Sequence, residues 1–155
     1  IAGTLIVMGL VLLAAERVGS RTRSIEEITT RDGVLVGLAQ SMALVPGVSR
    51  SGATITAGLF LGYGREAAAR FSFLLSIPAV VLSGLYQMKD IGAGDGPGVV
   101  PTALATLVSF GVGYAAIAWL LKFLTTNSTV VFVVYRVGLG LLVVALLASG
   151  VLDAR

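Results

Sequence analysis

The stretch Pro46-Gly47-Val48-Ser49-Arg50-Ser51-Gly52-Ala53-Thr54 sets one arginine, two serines and a threonine between two apolar runs, Gly33 to Val45 and Ala53 to Leu61. That combination suits the binding of an oxyanion, most plausibly phosphate. The Arg50 guanidinium is a planar fork that matches two phosphate oxygens and stays protonated when partly buried. Ser51 stands where an N-cap is expected for a helix beginning near Gly52, whose free N–H groups and positive dipole end would face the same anion. Ser49 and Thr54 add hydroxyls, while Gly47 and Gly52 allow close backbone approach. The structural alternative is an Arg50 paired with a carboxylate of another helix, but the later apolar spans contain no Asp or Glu.

A second charge, Arg136, falls about six residues, or ~9 Å of helix, into the last apolar run, with Tyr135 beside it. Two readings stay open for it, a side chain that snorkels to the interface and a ligand for the same anion. Arg65, Glu66 and Arg70 read as an ordinary solvated helix start.

The elements that must position these groups belong to a membrane protein. Of 155 residues, 56% are hydrophobic and only 12% charged, too few polar side chains to cover a soluble globule of this size. Apolar runs recur along the whole length, so a single signal peptide does not explain them. In such a chain a charge near the bilayer centre costs roughly 2.5 to 3.5 kcal/mol, which makes Arg50 a functional candidate in its own right. With no cysteine and no histidine, disulfides, thiolate metal sites and imidazole bases are excluded from these residues, and no metal ligand set is visible. The net charge of +3 is spread singly over short loops, which points to anionic lipid head groups and away from nucleic acid.

The reading in order is a transmembrane helix over 1–15, truncated at its start, then a polar connector from Gly19 to Asp32 with Thr29 or Thr30 as the next N-cap. The chain opens on Ile1 inside an apolar run without an initiating methionine, which suggests a fragment. Gly33 to Val45 and Ala53 to Gly62 extend only about 20 Å and 15 Å as helices, so neither crosses a bilayer. Pro46-Gly47 breaks the helix between them. Either one broken span or a re-entrant hairpin over 33–62 with its tip at 46–52 results. The hairpin partitions charge better, keeping Arg17, Arg21, Arg23, Arg31, Arg65 and Arg70 on the cytoplasmic side and the Asp90 to Gly98 loop outside. Further spans are expected over 71–88, 99–121 and 129–151. Pro78 should kink the first, Trp119 and Lys122 should anchor the second, and Asn127-Ser128 should cap the third, which delivers Asp153 and Arg155 outside. Gly111, Gly113, Gly138 and Gly140 suit close helix packing. The fold class is therefore an all-α integral membrane protein, a multi-span helical bundle with a re-entrant helical hairpin.

Gln40 to Pro78, with Pro46-Gly47-Val48-Ser49-Arg50-Ser51-Gly52-Ala53-Thr54-Ile55 at its centre and Phe71-Ser72-Phe73-Leu74-Leu75-Ser76-Ile77-Pro78 downstream, strongly resembles the undecaprenyl pyrophosphate phosphatases, the bacitracin-resistance protein family. The resemblance extends to Tyr135-Arg136 and covers roughly the second half of a typical member. It implies half of an inverted-repeat fold in a bacterial cytoplasmic (inner) membrane, with the active site facing the periplasm or exterior. The implied activity hydrolyses undecaprenyl pyrophosphate to the monophosphate, recycling the carrier for peptidoglycan and conferring bacitracin resistance. By motif match Ser49, Arg50 and Thr54 carry over as catalytic residues, and Ser51, Gly47, Gly52 and Arg136 as substrate-binding ones. A divalent cation, Mg²⁺ or Ca²⁺, is implied by the resemblance only.

The family's first half brings a glutamate-rich motif, serines and a histidine, and nothing in this chain matches it, so these residues alone are expected to be inactive. Ser49 is then a positioning hydroxyl, or a nucleophile whose base lies in that other half. Candidate partners are a polyprenyl pyrophosphate, membrane lipids, the N-terminal half of the same protein and a second copy of the chain. The rival class is an anion channel or transporter, in which broken helices also aim positive ends at a midplane anion. A non-catalytic assembly subunit is the third reading.

Overall fold

The computed structural model describes residues 1–90 and 98–151. Most of the Asp90 to Gly98 loop, together with Asp153 and Arg155, lies outside the described residues. Among the described residues six α-helices follow one another: α1 (Ala2–Val18), α2 (Thr30–Ser41), α3 (Arg50–Phe60), α4 (Arg65–Gln87), α5 (Val99–Thr126) and α6 (Val130–Ala148). No strand occurs among the described residues. The helices α4, α5 and α6, of 23, 28 and 19 residues, are long and apolar enough to cross a membrane. The protein is an all-α integral membrane protein.

Several boundaries differ from the sequence reading for identifiable reasons. α1 continues through Glu16 and Arg17, because Glu16 is buried against partners rather than solvated. α4 begins at Arg65 instead of Phe71, since Ala67-Ala68-Ala69 are strong helix formers. It runs through Pro78 without a break. α5 continues past Leu121 to Thr126, so Trp119 and Lys122 sit inside it. Asn127 does not cap α6. It closes α5 instead, its Nδ2 donating to the Phe123 carbonyl at 3.1 Å, and Thr129 is the residue that precedes α6. Thr29 caps α2 as expected, accepting from the Asp32 N–H at 3.2 Å.

Between α2 and α3 the chain makes a single turn of 3₁₀ helix, Met42–Leu44, and then a tight turn. The Val48 N–H reaches the Val45 carbonyl at 3.0 Å, with Pro46 and Gly47 at the two central positions and Gly47 at φ 90°. This is the type II pattern, in which proline presets the first central residue and the second must take positive φ. A side chain at Gly47 would also collide with the Thr4 hydroxyl. The Thr4 hydroxyl instead shares its proton between the Ile1 carbonyl at 2.7 Å and the Pro46 carbonyl at 2.9 Å, and so ties the turn to the start of α1.

These contacts orient the bundle. The turn lies at the N-terminal end of α1, and the far end of α3 lies at its C-terminal end, where Gly19 abuts Leu59, so α1 and α3 run parallel. α6 runs the other way, with Thr129 beside Glu16 and Gly140 against Ala2 and Ile6. Gly140 is thus a packing glycine, whereas Gly111, Gly113 and Gly138 face open space. α1 packs on α3 and α6, and α3 also packs on α2 and α4. With 12 and 11 residues, α2 and α3 are each too short for a hydrocarbon core of about 30 Å.

Both ends of the α2–α3 pair return to one end of the molecule, the base. There Arg23 donates its N–H to the Gly62 carbonyl and accepts from the Gly64 N–H, both at 3.0 Å. Its guanidinium lies 4.3 Å over the Tyr63 ring and grips the buried Asp32 at 2.7 Å, while the Tyr63 hydroxyl donates to the same carboxylate at 2.7 Å. The Arg23 guanidinium, helped by Tyr63 and Thr29, holds the Asp32 carboxyl well below the usual carboxylate range. Burial and then the Asp32 carboxylate push the Tyr63 phenol up to about 12. Beside this network Glu16, only 4% exposed, accepts from Arg65 Nε at 2.6 Å, Arg21 Nη1 at 3.1 Å and Thr129 Oγ1 at 2.6 Å. Arg65 is therefore no ordinary solvated residue. Only Glu66 and Arg70 form the expected exposed pair, at 3.3 Å.

Candidate functional site

At the opposite end, the tip, the structure gathers Ser49, Ser51, Gly52 and Arg136 around the mouth of a groove of about 310 Å³. α1, α3, α5 and α6 form its walls. Leu5, Leu12, Ile55, Leu120, Leu124 and Phe132 make most of them apolar, and Tyr135 also faces it.

α3 begins at Arg50, two residues earlier than the N-cap reading required. Ser49, not Ser51, is the cap: its backbone is extended (φ −74°, ψ 130°) and its Oγ accepts the Gly52 N–H at 3.2 Å. The tight turn ends at Val48, so Ser49 is the first residue free to adopt that conformation, and Ser51 is already helical. Its Oγ lies 3.3 Å from that of Ser49, so the two hydroxyls share one face of the first turn.

That first turn carries no acidic residue and has an arginine at its first position. A cation at the positive end of a helix opposes the dipole. Arg136 adds a second. It does not snorkel: it is 8% exposed and reaches from α6 to the turn, donating through Nη2 to the Gly47 carbonyl at 3.3 Å. Its Nε is buried with no hydrogen-bond partner, and among the described residues no carboxylate pairs with it. Any side chain at Gly52 would run into Arg136 Nη1. Buried donors are almost always satisfied, and a buried cation without a counter-ion is costly, so the arrangement has the donors and the uncompensated charge to accept an anion.

Three predicted site residues do not line the groove: Gly47, which forms the tight turn against Thr4, and Arg50 and Thr54. Arg50 is exposed and lines a separate hollow of about 280 Å³ with Gln40 and Ser41, on a different side of the tip from the groove. Its side chain makes no hydrogen bond or ion pair among the described residues. Thr54 is 1% exposed, and its hydroxyl is engaged with the Arg50 and Ser51 carbonyls at 3.0 and 3.2 Å and with Ser72 Oγ at 2.6 Å. It faces helix α4 rather than the groove.

A protein-family model described as the bacitracin resistance protein BacA matches residues 1–142. The chain belongs to the BacA family. It is 56% identical over 155 residues to an undecaprenyl-diphosphatase of Nocardioides sp. (strain ATCC BAA-499 / JS614), covering 99% of this chain and 57% of that protein. The undecaprenyl-diphosphatase of Mycolicibacterium smegmatis is 55% identical over 159 residues, covering 100% and 58%. That of Thermobifida fusca is 51% identical over 149 residues, covering 96% and 51%. The chain thus spans a little over half the length of these relatives. BacA-family membership and three apolar spans make it a multi-pass protein of the bacterial cytoplasmic membrane.

The site's donor set does not fit a resident divalent cation. Mg²⁺ and Ca²⁺ take oxygen ligands and usually one or more carboxylates, whereas the tip offers hydroxyls, N–H groups and two guanidinium groups. No cluster of three or more acidic groups able to hold a metal ion occurs among the described residues.

Sequence reasoning missed Thr4 and Ser72, which hold the tip from α1 and α4. No local pattern marks Thr4. Ser72 stood inside the Phe71 to Pro78 block that the family resemblance rests on, without an assigned role.

Proposed function

We propose that this chain carries the phosphate-clamping side of a lipid pyrophosphate phosphatase, which hydrolyses undecaprenyl pyrophosphate to undecaprenyl phosphate and inorganic phosphate. The product carrier returns to peptidoglycan synthesis, and its turnover counters bacitracin. The observation that carries this reading is Arg136, a buried guanidinium with an unpaired Nε at the polar mouth of an apolar groove. A pyrophosphate head supplies the missing acceptors, and a prenyl chain matches the Leu120, Leu124 and Phe132 wall. At about 310 Å³ the groove sits at the small end of ligand sites, so it takes only the first part of a long prenyl tail, and the rest lies in lipid. The same apolar walls argue against a conduit for free anions.

In this scheme Arg136, the Ser49 and Ser51 hydroxyls and the first N–H groups of α3 neutralise and orient the transferring phosphoryl group. Arg50 approaches from the other side of the tip. Ser49 acts as a positioning hydroxyl, because no base among the described residues stands within reach to activate it. The attacking group's base, and the carboxylates for any divalent cation, come from the portion of the relatives that this chain does not span. α2 and α3 form a re-entrant hairpin whose tip approaches the outer face, and the whole is one half of an inverted repeat.

The test is phosphate release from undecaprenyl pyrophosphate in detergent, by the 155-residue chain alone and joined to the remaining portion of the Mycolicibacterium smegmatis relative. The joined protein should release phosphate, and the chain alone should not. A folded joined protein without activity refutes the phosphatase reading, and release by the chain alone refutes the shared site.

A further inference from the structure

The first turn of α3 carries Ser49, Arg50 and Ser51, and it sits at the exposed tip of a short helix, directly after the tight turn. Something must hold it at the spacing that phosphoryl transfer needs. The hydrogen bonds that Arg136 and Thr4 make to this segment reach only the Gly47 and Pro46 carbonyls, which lie ahead of the first turn.

From inside, the first turn is held by a chain of two hydroxyls. Thr54 Oγ1 is within reach of the Arg50 carbonyl at 3.0 Å, the Ser51 carbonyl at 3.2 Å and Ser72 Oγ at 2.6 Å. Thr54 has one proton, and a carbonyl can only accept. Giving that proton to the α3 carbonyls leaves the Ser72 proton to make the contact with Thr54, and this is the one assignment in which neither hydroxyl proton is left without an acceptor among the described residues. Ser72 is free to give it, because its hydroxyl has no other hydrogen bond among the described residues, unlike Ser76, which bonds back to Phe73. Both hydroxyls are buried, Thr54 at 1% and Ser72 at 4% exposure, so water does not compete.

We propose that Ser72 is a positioning residue of this site: its hydroxyl donates to Thr54, which donates to the Arg50 and Ser51 carbonyls and so locks the phosphate-facing turn of α3 onto α4. Thr54 then serves the reaction through the backbone and does not touch the substrate. The kinetic part rests on the phosphatase reading. The positional part does not.

Both parts are tested with Ser72→Ala, Ser72→Thr, Thr54→Val and the Ser72→Ala/Thr54→Val double variant. In the joined enzyme Ser72→Ala should lower kcat by about 10- to 100-fold, with KM within about twofold, as expected for misplacement rather than lost binding. Ser72→Thr, which keeps the donor, should recover most of kcat. The double variant should fall no further than Thr54→Val alone, because the two hydroxyls act as one unit. In the 155-residue chain, amide hydrogen exchange at Gly52 and Ala53 should quicken in Ser72→Ala while exchange in α6 stays unchanged. An unchanged kcat per folded enzyme, additive losses in the double variant, or unchanged exchange at Gly52 and Ala53 would overturn the proposal. If the joined wild type releases no phosphate, only the phosphatase reading falls, and the exchange measurement still decides the positional claim.

Discussion

The two ends of the molecule treat their arginines in opposite ways. At the base Arg21 and Arg65 share the Glu16 carboxylate, and Arg23 holds Asp32 while stacking on Tyr63. Every one of those charges is answered within the chain. At the tip Arg136 is more deeply buried than any of them, and its Nε is answered by nothing. The lesson is that a buried guanidinium with a dedicated carboxylate braces the fold, whereas one without keeps donors that the fold does not use. The base closes the polar connector onto the turn between α3 and α4. The tip keeps a positive charge that no carboxylate answers among the described residues.

The largest effect that could break this comparison is expected at the base. Glu16→Ala leaves Arg65, Arg21 and Thr129 without their shared acceptor, and should cost about 3 to 5 kcal/mol, seen as a steep drop in melting temperature in detergent. A small drop would mean that the base is not the brace described. Arg136→Met should do the reverse. It removes an unpaired buried charge, so the melting temperature should hold or rise, while phosphatase activity of the joined protein falls by about 10²- to 10³-fold. If stability fell as much as in Glu16→Ala, Arg136 would be a brace as well.

Smaller effects sharpen the picture. Gly52→Ala places a methyl group against Arg136 Nη1, and should lower activity by roughly tenfold without unfolding the chain, since the guanidinium can shift along its flexible stem. Arg50→Lys tests the other side of the tip: a point charge does not replace the fork, but Arg50 is exposed and lies outside the groove, so activity measured with undecaprenyl pyrophosphate should fall only a few-fold. The weakest signal is acid stability. The Asp32 carboxyl is held below its unfolded value of about 3.9, so its stabilisation is complete above that pH and is lost as pH falls through the lower folded value. An acid melting series should therefore show a limb beginning below about pH 4 that flattens in Asp32→Asn.

Membrane class, the break at Pro46-Gly47 and the density of hydroxyl and guanidinium donors from Ser49 to Thr54 were legible in the sequence alone. Each depends on local chemistry: apolar runs, a proline that cannot continue a helix, and a density of donors that lipid does not tolerate without purpose. Family membership was legible for the same reason, because that motif is contiguous.

Tertiary structure decided which of those donors share a space. Arg50 and Ser51 are neighbours in the chain, but adjacent helical positions point about 100° apart, and so they face different cavities. Arg136 lies 89 residues from Gly47, yet packing α6 against α1 brings it to the turn. Glu16 meets Thr129 across 113 residues, which turned an apparent helix terminator into a buried acceptor. Thr54 and Ser72 look alike in sequence, as small hydroxyls in apolar runs. Only the crossing of α3 and α4 shows that they touch, because side-chain pairing between helices depends on rotation about each axis, which no local pattern encodes.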